Sequence, residues 1–185
     1  MVCNNGQTSS KLILFRVEIN VNLSEFIKKI NMKESNSLNQ VAEFHNTFKH
    51  PIVSSPSIPA LQRCELRISL ISEELKELQQ AVNDNNIVEI ADALCDLQYV
   101  LSGAILEFGL GEKFKDLFDE VHRSNMSKAC KSVEEANETI SHYKLFEDCD
   151  SYYEQEESRF LVYRTHDHKV LKSINYSPAN LQKII

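Results

Sequence analysis

The sequence predicts an all-α fold: a bundle of four to five helices with a small C-terminal β-hairpin appended. Three observations point there. Glycine and proline are scarce, at four each in 185 residues, which suits long helices and argues against a fold built on many tight turns. Apolar residues recur at three- and four-residue spacing over several long segments. Near the C-terminus the pattern shifts to the period of strands.

The elements follow in order. Residues 1–31 differ in character from the rest: "KLILFRVEINVNL" mixes alternation with a short apolar run. We read 1–31 as an N-terminal extension, expected to be poorly ordered, and 32–185 as the helical domain. The first helix should span Ser37 to Phe48, with Leu38, Val41, Phe44, His45 and Phe48 on one stripe. His45 in that trio of rings is expected in the core or a seam, or lining a base pocket. "KHPIVSSPSIPA" is a loop, with three prolines and three serines in twelve residues. The second helix runs from about Pro59 to Val82. Its Leu61, Cys64, Ile68, Ile71, Leu75, Leu78 and Val82 alternate three- and four-residue steps, a seam for a neighbouring helix.

"NDNN" is a turn with a capping signal. The third helix, about Asn86 to Phe108, is apolar nearly all round and should be the buried centre of the bundle. "GLG" ends it. A fourth helix covers Glu112 to His122, with Phe114, Leu117, Phe118 and Val121 inward. Ser132 and Glu135 form a capping box that opens a fifth. From about residue 158, "RFLVYR" (Arg159–Arg164) and "KVLKSI" (Lys169–Ile174) flank "THDH" and read as the hairpin, with His166 and His168 as surface turn residues.

Composition narrows the function. A net charge of −7 leaves no basic footprint for nucleic acid. The five cysteines are scattered and include no C-x-x-C pair, so neither a disulfide framework nor a zinc site is expected. The longest uncharged apolar stretch, Leu97 to Leu106, is too short to span a bilayer, and no secretory signal is evident. A cytoplasmic protein is the expectation.

The informative feature is acidic. Glu73, Glu74 and Glu77 fall within five residues of the second helix; Glu89, Asp92 and Asp96 form a stripe on the third. On a helical wheel Glu74 and Glu77 flank the apolar seam in line with Leu66, Leu70 and Ala81, and Glu73 lies further round. Unpaired buried carboxylates cost several kcal/mol each. Three compensations stand open: pairing with Arg63, Arg67 or Lys76, exposure to water, or a divalent cation held between the two helices. The donor set is all hard oxygen, which suits Mg²⁺ or Mn²⁺ and not zinc. A di-iron bundle would want paired Glu-x-x-His motifs, and none is present.

The stretch "RISLISEELKELQQAV…NNIVEIADALCDLQYVLSGAILEFGL" resembles the MazG-like all-α nucleoside triphosphate pyrophosphohydrolases, a superfamily that includes dimeric dUTPases and phosphoribosyl-ATP pyrophosphohydrolase. Its E-E-x-x-E signature is matched by Glu73, Glu74 and Glu77, and its E-x-x-D by Glu89 and Asp92. "FDEVHRSNMSKAC" and the tail "KVLKSINYSPANL" are similar as well, so the likeness spans about Glu34 to Ile185.

The resemblance implies a helical bundle acting as a homodimer or homotetramer. It implies hydrolysis of a (d)NTP to (d)NMP and pyrophosphate, a house-cleaning type of reaction on the nucleotide pool. Carried over residue by residue, Glu74, Glu77, Glu89 and Asp92 would hold Mg²⁺ (or Mn²⁺), and Glu73 would activate the water. Lys128, Arg123 and Asn125 would meet the phosphates. Arg67 would reach phosphate or pair with Glu74 or Glu65. Asp96 is a further metal contact or a helix-to-helix hydrogen-bonding group, and Lys172 and Asn175 belong to the similar tail. A non-catalytic nucleotide-binding or regulatory bundle is the alternative. Base and sugar preference are not legible.

Overall fold

The computed structural model describes residues 33–185, and residues 36–185 form one compact unit. The extension read over 1–31 lies outside the described residues.

Five helices come first: α1 (Ser37–Phe48), α2 (Leu61–Asn83), α3 (Ile87–Glu107), α4 (Phe114–Met126) and α5 (Val133–Glu147). A hairpin follows, β1 (Ser151–Glu156) and β2 (Arg159–Arg164), then an extended tail with one 3-10 turn at Leu181–Lys183. Local chemistry sets the boundaries. Asn86 caps α3, its side chain accepting from the amides of Val88 (3.1 Å) and Glu89 (3.4 Å). Ser132 caps α5 by accepting from the Glu135 amide at 3.2 Å, and Glu135 reaches back to the Lys131 amide at 2.9 Å. Gly109 sits at φ +69°, and a Cβ there would lie 2.0 Å from the Ser55 carbonyl oxygen, so only glycine admits the approaching loop.

The helices form two groups. α2 and α3 pack along each other, and α1 packs on α3. The Pro-rich loop follows α3's end, with the Val53 amide on the Leu106 carbonyl (3.0 Å) and the Ser57 amide on Phe108's (3.1 Å). The second group has its own small core: Cys130, Ala136, Phe160, Val162 and Leu171, beneath α5, the hairpin and the tail. α4 lies against the tail. Asn180 donates its amide to Glu120 (2.8 Å), Ser124 bonds the Tyr176 hydroxyl (2.9 Å), and the Arg123 guanidinium donates to the Pro178 carbonyl (3.1 Å). Among the described residues no single helix is long and apolar enough to cross a membrane.

Four expectations are corrected. α3 is not buried throughout: Ser102–Glu107 are buried, while Ile87, Val88, Leu94 and Leu101 are exposed. Among the described residues, α1 and α2 are the helices that pack along it. The α2 seam divides in the same way. Cys64, Ile71 and Leu78 are half-buried, whereas Leu61, Ile68, Leu75 and Val82, seven residues apart, are each more than half exposed. On α4, Leu117 is buried but Phe118 and Val121 are exposed. Finally, β2 pairs with the preceding segment and not with Lys169–Ile174. Glu156 pairs Arg159 across a tight turn whose Glu157 takes φ 52°, and Val170 makes one isolated bridge to Tyr163.

Candidate active site

The register of α2 against α3 is fixed at one end. Both Arg63 and Arg67 donate to Glu107, and Gly103 lies directly under the Arg67 guanidinium. Continued along the antiparallel pair, this register sets Glu74 opposite Asp96 and Ala81 opposite Glu89. Arg67, Glu74 and Ala81 lie seven apart on one line of α2: Arg67 and Ala81 are buried, and Glu74 between them is half-buried.

The two ends of the pair differ in charge. At the closed end the Glu107 carboxylate is 1% exposed and takes hydrogen bonds from both arginines, Arg67 at 2.5 Å and Arg63 through two nitrogens. Those bonds hold its pKa below the ordinary carboxylate range against the opposing effect of burial. Glu107 was not singled out from the sequence; the available signal was Arg63 and Arg67, four apart and on the side facing α3. Arg67 is therefore paired with Glu107 and His45, and not with Glu74 or Glu65.

At the other end stand the acids. Among the described residues, Glu73, Glu74, Glu77, Glu89, Asp92 and Asp96 enter no ion pair and no side-chain hydrogen bond, and Lys76 pairs with none of them. The Glu74 pKa is raised, first by desolvation and then by repulsion from Glu77, Asp96, Glu73 and Asp92. That list identifies Asp96 as a near neighbour of Glu74 across the interface. Glu73 and Glu77 also line an open groove of about 600 Å³ with Ile68, Ser72 and Lys76. Glu73 thus faces this groove.

As they stand, no three metal-ligating groups converge tightly enough to grip an ion among the described residues. The donors nonetheless suit a hard divalent cation. They are carboxylates only, un-neutralised, on facing helices, and their mutual repulsion is what a cation would relieve.

The basic residues lie elsewhere. Arg123 is tied to Glu120 (2.7 and 2.9 Å) and to the tail at Ser177 and Pro178. Lys128 donates to the Asn125 side chain at 2.9 Å, and Lys172 stands 4.6 Å over the Tyr176 ring. α4 turns 111° from α3 and makes no extended packing with α2 or α3. Two helical arms of this length and bend put Asp92 and the end of α4 about 25 Å apart.

Part of the chain is similar to known proteins. Residues 41–125 match the model of phosphoribosyl-ATP pyrophosphohydrolase, a span that holds all six acids, Arg67, Glu107, Arg123 and Asn125. A relative from Acanthamoeba polyphaga mimivirus, "Uncharacterized protein L479", is 25% identical over 84% of this chain and 98% of its own length. With the acid pairs on two facing helices, residues 41–125 are thus similar to a family of the MazG-like all-α pyrophosphohydrolase superfamily, whose members are hydrolases of pyrophosphate bonds in nucleotides.

Proposed function

We propose that this protein is a Mg²⁺-dependent nucleoside triphosphate pyrophosphohydrolase, which cleaves a (d)NTP between the α and β phosphorus to give (d)NMP and pyrophosphate. One observation carries the reading: Glu74 of α2 stands near Asp92 and Asp96 of α3, none of these acids enters an ion pair among the described residues, and the arginines of α2 are held at Glu107. Internal pairing of the acids is thereby removed as their explanation.

In this reading Glu74, Glu77, Glu89 and Asp92 hold the ion, Mn²⁺ substitutes, and Asp96 stands beside Glu74. When bound, the ion neutralises phosphate oxygens and lowers the pKa of a bound water. Glu73, free in the open groove, takes the water's proton as the new P–O bond forms and the bridging oxygen leaves with its product.

The active form is a homodimer. Leu61, Ile68, Leu75 and Val82 on α2, with Ile87, Leu94 and Leu101 on α3, are heptad-spaced and exposed, and a second copy of the same helix pair covers them as a four-helix bundle. In a two-fold dimer with antiparallel α3 helices, the partner's α4 comes to the acid half of this chain's α3. Lys128 and Asn125 then meet the phosphates of the other copy's site, which accounts for the 25 Å that separates them from the acids of their own chain. Arg123 orders the tail beside them, and Arg67 orders the helix pair.

The test is a panel of canonical and modified (d)NTPs incubated with purified protein and Mg²⁺. Equimolar NMP and pyrophosphate supports the reading. Orthophosphate with NDP, or tight nucleotide binding without turnover across the panel, contradicts it.

A further inference from the structure

At the junction of α1, α2 and α3 sits a buried histidine whose protonation state is dictated by its partners. His45 is 2% exposed. Its Nδ1 lies 2.8 Å from the Pro51 carbonyl oxygen, and its Nε2 lies 3.1 Å from Nη2 of Arg67. A carbonyl only accepts and a guanidinium only donates. Nδ1 must therefore carry the proton, and Nε2 must present a lone pair. A second proton would go on Nε2, abolish the bond from Arg67 and set two cations 3.1 Å apart.

Nothing nearby absorbs that charge. From α2 the ring faces Arg67, with Arg63 beyond. From α3 it faces Gly103, and among the described residues Glu107 is the single anion there, already shared by both arginines. From the segment after α1 it faces His50, 5.4 Å between ring centroids. The cluster holds two guanidinium groups against one carboxylate before His45 is counted, and Nε of Arg67 already lacks a hydrogen-bond partner. Movement is blocked by Gly103, where even an added Cβ would lie 3.1 Å from Nε2 of His45. Burial and the neighbouring cations both lower the His45 pKa.

We propose that His45 is a proton-gated latch: neutral, it fastens α1 and the Pro51 segment to the α2–α3 pair, and in mild acid its protonation releases them. The latch also positions an aromatic group, because Phe44 of α1 meets Tyr99 of α3 edge-on at 5.5 Å and stacks on His50. His45 is thus a positioning residue, and its role does not depend on what the acids at the far end bind.

The sign follows from linkage. The unfolded chain protonates this histidine near its ordinary pKa, whereas the folded chain resists. Stability is therefore full above about pH 6.5 and falls as pH drops below it.

The test compares wild type with His45→Gln, whose amide also donates to Pro51 and accepts from Arg67 without titrating. Between pH 7.5 and 5.5 wild type should lose about 3 °C more in Tm than the variant. Equal slopes overturn the proposal. ¹⁵N-edited NMR of the wild-type histidines, which holds even where the variant fails to fold, should show His45 as the Nδ1–H tautomer at pH 7.5 with a pKa below the other histidines. An Nε2–H tautomer, or titration at or above the ordinary value, refutes it.

Discussion

The two ends of the α2–α3 pair both carry carboxylates and leave them in opposite states. At the closed end Glu107 is buried, and Arg63, Arg67 and His45 surround it. At the open end Glu77, Asp96, Glu73 and Asp92 repel Glu74, Glu89 stands a further turn along α3, and no ion pair neutralises these acids among the described residues. The closed end is complete as folded and serves stability. At the open end Glu74 is held beside other carboxylates against their repulsion, which is the basis of the metal-binding reading proposed above. Charge alone did not separate the two roles; the placement of the arginines did.

The sharpest way to break this comparison is to remove acids from the open end. Glu77→Ala or Asp92→Ala should abolish turnover while the Tm holds or rises, since like-charge repulsion is relieved. A large fall in Tm would mean the stripe is structural. Mixing Asp92→Ala with Lys128→Ala, each inactive alone, should restore roughly a quarter of wild-type activity if each site draws on two copies of the chain. No recovery after verified subunit exchange would place both groups in one chain's site.

At the closed end the effect should fall on stability. Glu107→Ala leaves the buried Arg67 guanidinium, and the half-buried one of Arg63, without their anion and should cost about 3–5 kcal/mol in denaturant unfolding. A cost near zero would show that the end is wet and the contrast unfounded. A smaller effect is expected at Gly103. There Ala would place a Cβ 2.6 Å from Nη1 of Arg67, and the displaced guanidinium should cost about 1–3 kcal/mol.

Much of this was legible in the sequence. α1 begins and ends where its apolar stripe does, and the Asn86 and Ser132 caps fall where the side-chain chemistry demands. The acid pairs were visible because their spacing sets them on one face of each helix. What stayed hidden has physical causes. An apolar face is written in the same letters whether its own chain or a second copy covers it, so the exposed half of α3 read as core. The β1 strand, "SYYEQE", is polar along its outer half and carries little alternation, so β2 was assigned the wrong partner. Glu107 escaped notice because a lone acid in the last turn of an apolar helix looks like a helix end. Only the register brings it to Arg63 and Arg67, and that same register sets Asp96, already on the acid stripe of α3, opposite Glu74.

In the function proposed above, the open end of the helix pair takes a divalent cation. Titration of Mn²⁺ into the purified protein, with free ion followed by electron paramagnetic resonance, tests it without any substrate. Wild type should bind at least one ion per chain, Mg²⁺ should displace it, and Glu77→Gln and Asp92→Asn should lose it with their folds intact. Binding that is unchanged in both variants, or no binding by wild type, would contradict the account.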